Sequence, residues 1–138
     1  MTTVGGFHHL AIQVRDLPAV ERFYRDTLGL AELRRWPAAD GDGDRSVWLD
    51  AGGGEFIALE RVAGGATARE DEARAQRPGL HLIALRIQRA TRGEWERRLA
   101  AAGAPVEART SFTLYVRDPE GNRVGLSHWP DPADGGAG

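Results

Sequence analysis

Leu114-Tyr115-Val116-Arg117-Asp118-Pro119-Glu120-Gly121-Asn122-Arg123-Val124-Gly125-Leu126 is the stretch on which the fold turns. Apolar residues alternate at Leu114 and Val116 and again at Val124 and Leu126, the period of strands with one buried face. Between them, Pro119 pre-sets φ while Gly121 and Asn122 tolerate left-handed backbone, so the segment predicts a hairpin. Val47-Trp48-Leu49-Asp50-Ala51-Gly52-Gly53-Gly54-Glu55-Phe56-Ile57-Ala58-Leu59 lines up with Leu114–Leu126 without a gap. The chain therefore contains the same device twice.

Working outward, each hairpin closes one copy of a longer repeat. The first copy begins His9-Leu10-Ala11-Ile12-Gln13-Val14 and the second Leu82-Ile83-Ala84-Leu85-Arg86-Ile87, both alternating as strands do. A helix follows each. One is predicted from about Pro18 to Leu28, with Asp16 as N-cap and Gly29 as stop. The other runs from about Thr91 to Ala102, with Thr91 and Glu94 spaced as a capping box and Gly103 as stop. Shorter strands are expected near Ala31–Trp36 and Pro105–Ala108. The prediction is an α+β fold of two βαβββ modules, residues 7–62 and 79–128, whose helices cover one face of a curved, mainly antiparallel sheet. Residues 63–78, rich in Gly, Ala and charge, read as a linker with one helical turn around Ala68–Ala75, and residues 129–138 as a flexible tail. Asp40-Gly41-Asp42-Gly43-Asp44 lacks the twelfth-position Glu and flanking helices of a calcium loop, so it reads as a hairpin loop.

Composition narrows the chemistry. With 138 residues, the chain fits one domain of ordinary size. The net charge of −2, with no basic block, gives no argument for nucleic acid. Cysteine is absent, which excludes thiol catalysis and Cys-ligated metal. All 18 basic residues are Arg, so no lysine is available for a Schiff base. No apolar run approaches membrane-spanning length, and Met1–Gly6 lacks a signal pattern. These features suit a cytoplasmic protein.

Alternation also sorts the strands into two faces. The helix-covered face is expected to hold Leu10, Ile12, Val14, Val47, Leu49, Ile57 and Leu59, with their second-copy counterparts. The opposite face carries His9, Gln13, Ser46, Trp48, Phe56, Ala58 and Glu60 in the first copy. In the second it carries Leu82, Arg86, Thr113, Tyr115, Arg123, Gly125 and Ser127. Small residues leave volume, aromatics supply apolar walls and sparse polar groups set orientation, which is the composition of a pocket. An ordinary second core layer or a dimer interface is the alternative reading of the same face.

The repeat, the Phe7-His8-His9-Leu10-Ala11-Ile12-Gln13-Val14-Arg15-Asp16-Leu17 opening, Phe23-Tyr24 before Leu28-Gly29-Leu30, and the Asp118–Asn122 hairpin together resemble the vicinal oxygen chelate superfamily. This is the glyoxalase, bleomycin-resistance and extradiol dioxygenase group, and the likeness spans residues 7–128. It implies a cupped sheet of two modules, commonly in a homodimer. Metal-dependent members often place ligands near the start of each first strand and on each last strand, here His9, Ala58, Leu82 and Gly125. Only His9 can coordinate, and one imidazole is too weak alone. A rearranged set of His9, His81 and Glu60 is the alternative, although His81 lies one residue out of register and is expected to face the helices. His128 is expected at the rim of the last strand.

The resemblance therefore implies a metal-independent protein that binds a small organic molecule, similar to the bleomycin-resistance branch and needing no cofactor. The ligand-binding residues expected are His9, Gln13, Trp48, Phe56, Glu60, Leu82, Arg86, Tyr115, Arg123 and Gly125. Trp48 and Tyr115 would offer paired ring surfaces. Trp36, Trp95 and Trp129 are expected to be packing or surface residues. The alternative is a lyase, isomerase or dioxygenase, with a divalent metal on the rearranged donors or with His9 or Glu60 as general base.

Overall fold

The computed structural model describes residues 2–63 and 79–133. The chain divides into two compact units, Met1–Gly65 and Ala66–Gly138. The first unit is built from strand β1 (His9–Val14), helix α1 (Leu17–Glu21) continued by a π-helical turn (Arg22–Thr27), β2 (Glu32–Pro37), β3 (Asp44–Gly52) and β4 (Glu55–Arg61). The second contains β5 (Ile83–Arg86), a 3₁₀ turn (Arg89–Thr91), helix α2 (Arg92–Ala101), β6 (Ala108–Arg109), β7 (Thr113–Arg117) and β8 (Arg123–Ser127). The predicted α+β fold of two βαβββ modules is the one observed. The expected linker and its helical turn at 68–75 lie outside the described residues.

Each unit has one four-stranded mixed sheet, ordered β1-β4-β3-β2 and β5-β8-β7-β6. The first strand of each lies parallel to the last, and the remaining pairs are antiparallel. A parallel partner cannot be reached by a tight turn, so the helix and two strands between them are the connection. Val47, Leu49, Ile57 and Leu59 are buried on one side of the first sheet, as are Leu114, Val116, Val124 and Leu126 in the second. Each such side chain contributes about 1.5–3 kcal/mol by leaving water.

Helix α1 packs against β3 and β4, burying Leu17 and Val20. Asp16 caps it as predicted, its carboxylate accepting from the Ala19 N–H at 3.1 Å. The helix is not uniform to Leu28, however. Leu28 N–H donates to the Phe23 carbonyl at 2.9 Å, an i→i−5 bond that widens the last turns and buries both Phe23 and Tyr24. The second helix departs from expectation at its start. Thr91 does not cap through its side chain, because its hydroxyl donates to the Gln88 carbonyl at 2.8 Å and closes the 3₁₀ turn. The short strand expected near Pro105–Ala108 begins later, at Ala108, where pairing with Tyr115 starts.

The deciding turn is closed by Asp118. Its buried carboxylate accepts from Glu120 N–H at 3.0 Å, Asn122 N–H at 2.9 Å and the Asn122 side-chain amide at 2.9 Å. Gly121 takes the left-handed backbone (φ 87°), and Asn122 does not. Asn122 is needed for its amide instead. The Asp40–Asp44 run forms the β2–β3 connection, with Ala38 N–H donating to the Gly43 carbonyl at 2.9 Å. Residues 129–133, assigned to the tail from sequence, carry hydrogen bonds: Asp131 N–H to the His128 carbonyl at 3.0 Å and Ala133 N–H to the Ser111 carbonyl at 2.7 Å. The Trp129 ring also meets Phe112, with centroids 4.6 Å apart.

Candidate functional site

In the first unit the face away from α1 carries a continuous row of rings. Register sets it up: Arg34 stands opposite Trp48, Trp48 opposite Ala58, and His9 beside Phe56. Phe56 stacks on Trp48 (4.6 Å, 21°) on one side and on His9 (4.7 Å, 4°) on the other. Trp36 meets Trp48 edge-on at 5.6 Å. Such contacts add about 0.5–1.5 kcal/mol each beyond simple burial, so the row is a firm surface. His9 is further held by His8, their Nδ1 atoms 2.9 Å apart. Ala58 lies beneath this row at 2% exposure, with no side chain to reach outward.

Beside the rings lies an open cleft of about 280 Å³, lined by Trp36, Arg45, Ser46, Trp48, Glu60 and Arg61. Trp36 stands opposite Ser46, in the same frame that sets Arg34 opposite Trp48 and that follows a register shift between Glu32 and Arg34. Ser46 in turn stands opposite Glu60, and Glu60 beside Gln13. Arg34 and Arg45 both lie over the Trp36 ring, at 3.9 and 5.6 Å from its centroid. Arg61 Nη1 donates to the Asp42 carbonyl at 2.7 Å, which ties the β2–β3 loop to the cleft.

The second unit arranges its corresponding face differently. Tyr115 stands opposite Gly125, and Ala84 beside it. A Cβ placed on Gly125 would meet Thr113 Cγ2 at 3.2 Å, Tyr115 Cε1 at 3.5 Å and Ala84 Cβ at 3.7 Å. The Arg123 guanidinium sits over the Tyr115 ring at 4.3 Å. His81 joins this group: its Nε2 lies 2.8 Å from Arg123 Nη1, correcting the expectation that its side chain turns toward the helix. His81 precedes β5, so the strict alternation used to orient it does not apply there. Leu82 also lies just before β5, and Arg86 ends that strand beside Ser127.

His128 directly follows β8. It is buried, its Nε2 lying 2.9 Å from Arg92 Nη1 and its Nδ1 2.5 Å from the Asp131 carbonyl, so it binds the start of α2 and the following chain to β8. Of the residues predicted for a ligand, the first unit brings together His9, Phe56 and Trp48, with Gln13 next to Glu60. In the second unit Tyr115, Arg123 and Gly125 form one group. Trp36, Arg45 and Arg61 were missed. Trp36 reads as a packing residue from sequence because the pairing that sets it opposite Ser46, after the register shift between Glu32 and Arg34, has no local sequence signal.

A family model described as the Glyoxalase/Bleomycin resistance protein/Dioxygenase superfamily matches residues 6–126. The chain belongs to this superfamily. Among solved structures, it is similar to a glyoxalase/dioxygenase from Nostoc punctiforme, with 18% identity, a TM-score of 0.75 and coverage of 95% of this chain and 99% of that one. It is also similar to the fosfomycin resistance protein FosX of Listeria monocytogenes complexed with Mn(II) and sulfate ion (17% identity, TM-score 0.69, 91% and 93% covered). A lactoylglutathione lyase from Agrobacterium tumefaciens shares 23% identity at a TM-score of 0.63, with 93% and 96% covered. At such identities these are likenesses of fold. No curated protein matches the chain. Among the described residues, no helix is long and apolar enough to cross a membrane.

The Mn(II) in the FosX structure makes a divalent metal the group to test against this superfamily member's residues. Of His9, Ala58, Leu82 and Gly125, only His9 has a side-chain donor. Among the described residues, no three His, Asp or Glu side chains group closely enough to share an ion. The residues at these places do not fit a divalent metal, which needs several N or O donors.

Proposed function

We propose that this superfamily member is a cytoplasmic, homodimeric binding protein that holds a small organic molecule without a metal, in the manner of bleomycin-resistance-type proteins. The observation that carries the reading is the ring row Trp36–Trp48–Phe56–His9 on an uncovered sheet face, next to a cleft with sparse polar groups. Stacked rings already ordered by one another lose little freedom when a planar ligand settles on them. The lack of a donor side chain at Ala58, Leu82 and Gly125 supports the metal-free part of the reading.

The test is a tryptophan-fluorescence titration of chelator-treated protein against a broad panel of aromatic and glycopeptide compounds. At least one compound is expected to bind, and Trp48→Leu to weaken it about tenfold or more, the loss of one good ring contact and its burial. No binder across the panel overturns the binding reading. Stoichiometric Mn(II), Ni(II), Zn(II) or Fe(II) retained by the protein and lost in His9→Ala overturns the metal-free reading.

A further inference from the structure

The two hairpins place equivalent residue pairs in the same register: Ser46 opposite Glu60 in the first, Thr113 opposite Ser127 in the second. In the second unit the pair satisfies itself, the Thr113 hydroxyl donating to Ser127 Oγ at 3.0 Å. In the first it does not. Ser46 is only 6% exposed, and its hydroxyl has no hydrogen-bond partner among the described residues. A buried, unpaired hydroxyl costs about 1–3 kcal/mol, so native structures seldom keep one without a use. Ser46 lines the cleft together with Trp36 and Trp48, and the Glu60 carboxylate across from it has no ion-pair partner among the described residues.

From this we infer that the cleft is a subsite for a small planar aromatic acid that also carries a hydrogen-bond donor on its ring. The inference rests on the small-molecule-binding reading above and narrows it to a ligand class. Size argues for a single ring: about 280 Å³ lies at the lower end of small-molecule pockets and is too little for a glycopeptide. Charge argues for an acid. Arg45 and Arg61 line the cleft against the single carboxylate of Glu60, and Arg34 adds a third cation over Trp36. An organic ammonium is disfavoured, because the Trp36 ring that would attract it already faces the protein's own guanidinium groups. An Arg45 N–H then binds the acid group, the buried Ser46 hydroxyl joins it once the side chains over it give way to the ligand, and Glu60 accepts from the ring donor.

The experiment titrates the chelator-treated full chain with 4-hydroxybenzoate, benzoate, benzamide and benzamidine, reading tryptophan fluorescence and the NMR shifts of the Trp36 and Trp48 indole N–H groups. Expected is an order in which 4-hydroxybenzoate binds about tenfold or more tighter than benzamide or benzamidine, as one charge-assisted hydrogen bond allows. Arg45→Ala should weaken 4-hydroxybenzoate about tenfold and Ser46→Ala about threefold to tenfold. Glu60→Gln should reduce its advantage over benzoate. Tighter binding of benzamidine overturns the inference. So does a panel compound that binds while no aromatic acid does, or aromatic-acid binding indifferent to both Arg45→Ala and Ser46→Ala; in these two cases the broader binding reading survives.

Discussion

The β3–β4 and β7–β8 hairpins share register, buried side and turn position, and they present different surfaces on the other side. Trp48 opposite Ala58 becomes Tyr115 opposite Gly125, and Phe56 becomes Arg123. In the first, rings stack on rings and leave a cleft open beside them. In the second, a guanidinium covers the ring, and a hydroxyl pair is closed by its own hydrogen bond. The backbone plan is the same in both. What differs is the hydroxyl position: Thr113 is satisfied by Ser127, whereas Ser46 opposite Glu60 is unpaired among the described residues, and in the second hairpin the buried unpaired atom is Arg123 Nε.

The same comparison holds at the edge strands. Arg35 on β2 pairs with Val47 and Arg109 on β6 pairs with Leu114, equivalent places, and each arginine reaches back to its unit's helix. Arg35 binds Glu21 of α1 together with Glu32 and Asp44. The hydrogen bond to Asp44, then that to Glu32, holds its guanidinium still more firmly protonated than usual. Among the described residues Arg109 binds only Glu96 of α2, at 2.5 Å, and is more exposed. One latch is a network around a buried carboxylate, the other a surface pair.

The largest effect that can break this comparison lies in the shared core. Leu59→Ala and Leu126→Ala occupy equivalent buried positions, and each should cost about 2–5 kcal/mol in chemical denaturation. A loss under about 1 kcal/mol at either position would mean that the two buried sides are not equivalent. The latches come next. Arg35→Ala is expected to cost about 1–2 kcal/mol, discounted for its partial exposure, and Arg109→Ala less than about 1 kcal/mol. Equal losses would remove the distinction drawn between network and pair. The smallest effect has opposite signs in the two units. Thr113→Val should cost about 0.5–1.5 kcal/mol by stranding Ser127, whereas Ser46→Ala should be neutral or stabilising by up to about 1 kcal/mol in ligand-free protein. A destabilising Ser46→Ala would show that its hydroxyl is engaged within the fold.

Much of this was legible from residues alone. The repeat, both hairpins, the Asp16 cap and the glycine stops follow from period-two alternation and turn chemistry, which act over a few residues. The outward direction of His9, Trp48, Phe56 and Glu60 follows from the same alternation. The capping pattern at Thr91 fails because its hydroxyl has a nearer carbonyl in Gln88, and alternation fails at His81 because it stands before its strand begins.

By itself, then, the sequence determined the superfamily, the two modules, the faces of regular strands and the lack of donors at Ala58, Leu82 and Gly125. Only the tertiary structure decided that Trp36 faces Ser46, that Ser46 is left unpaired among the described residues, and that Arg123 covers Tyr115. The physical reason is one of range. Strand period and turns are set by neighbours along the chain, but a shifted pairing or a filled space depends on which distant side chains arrive beside it.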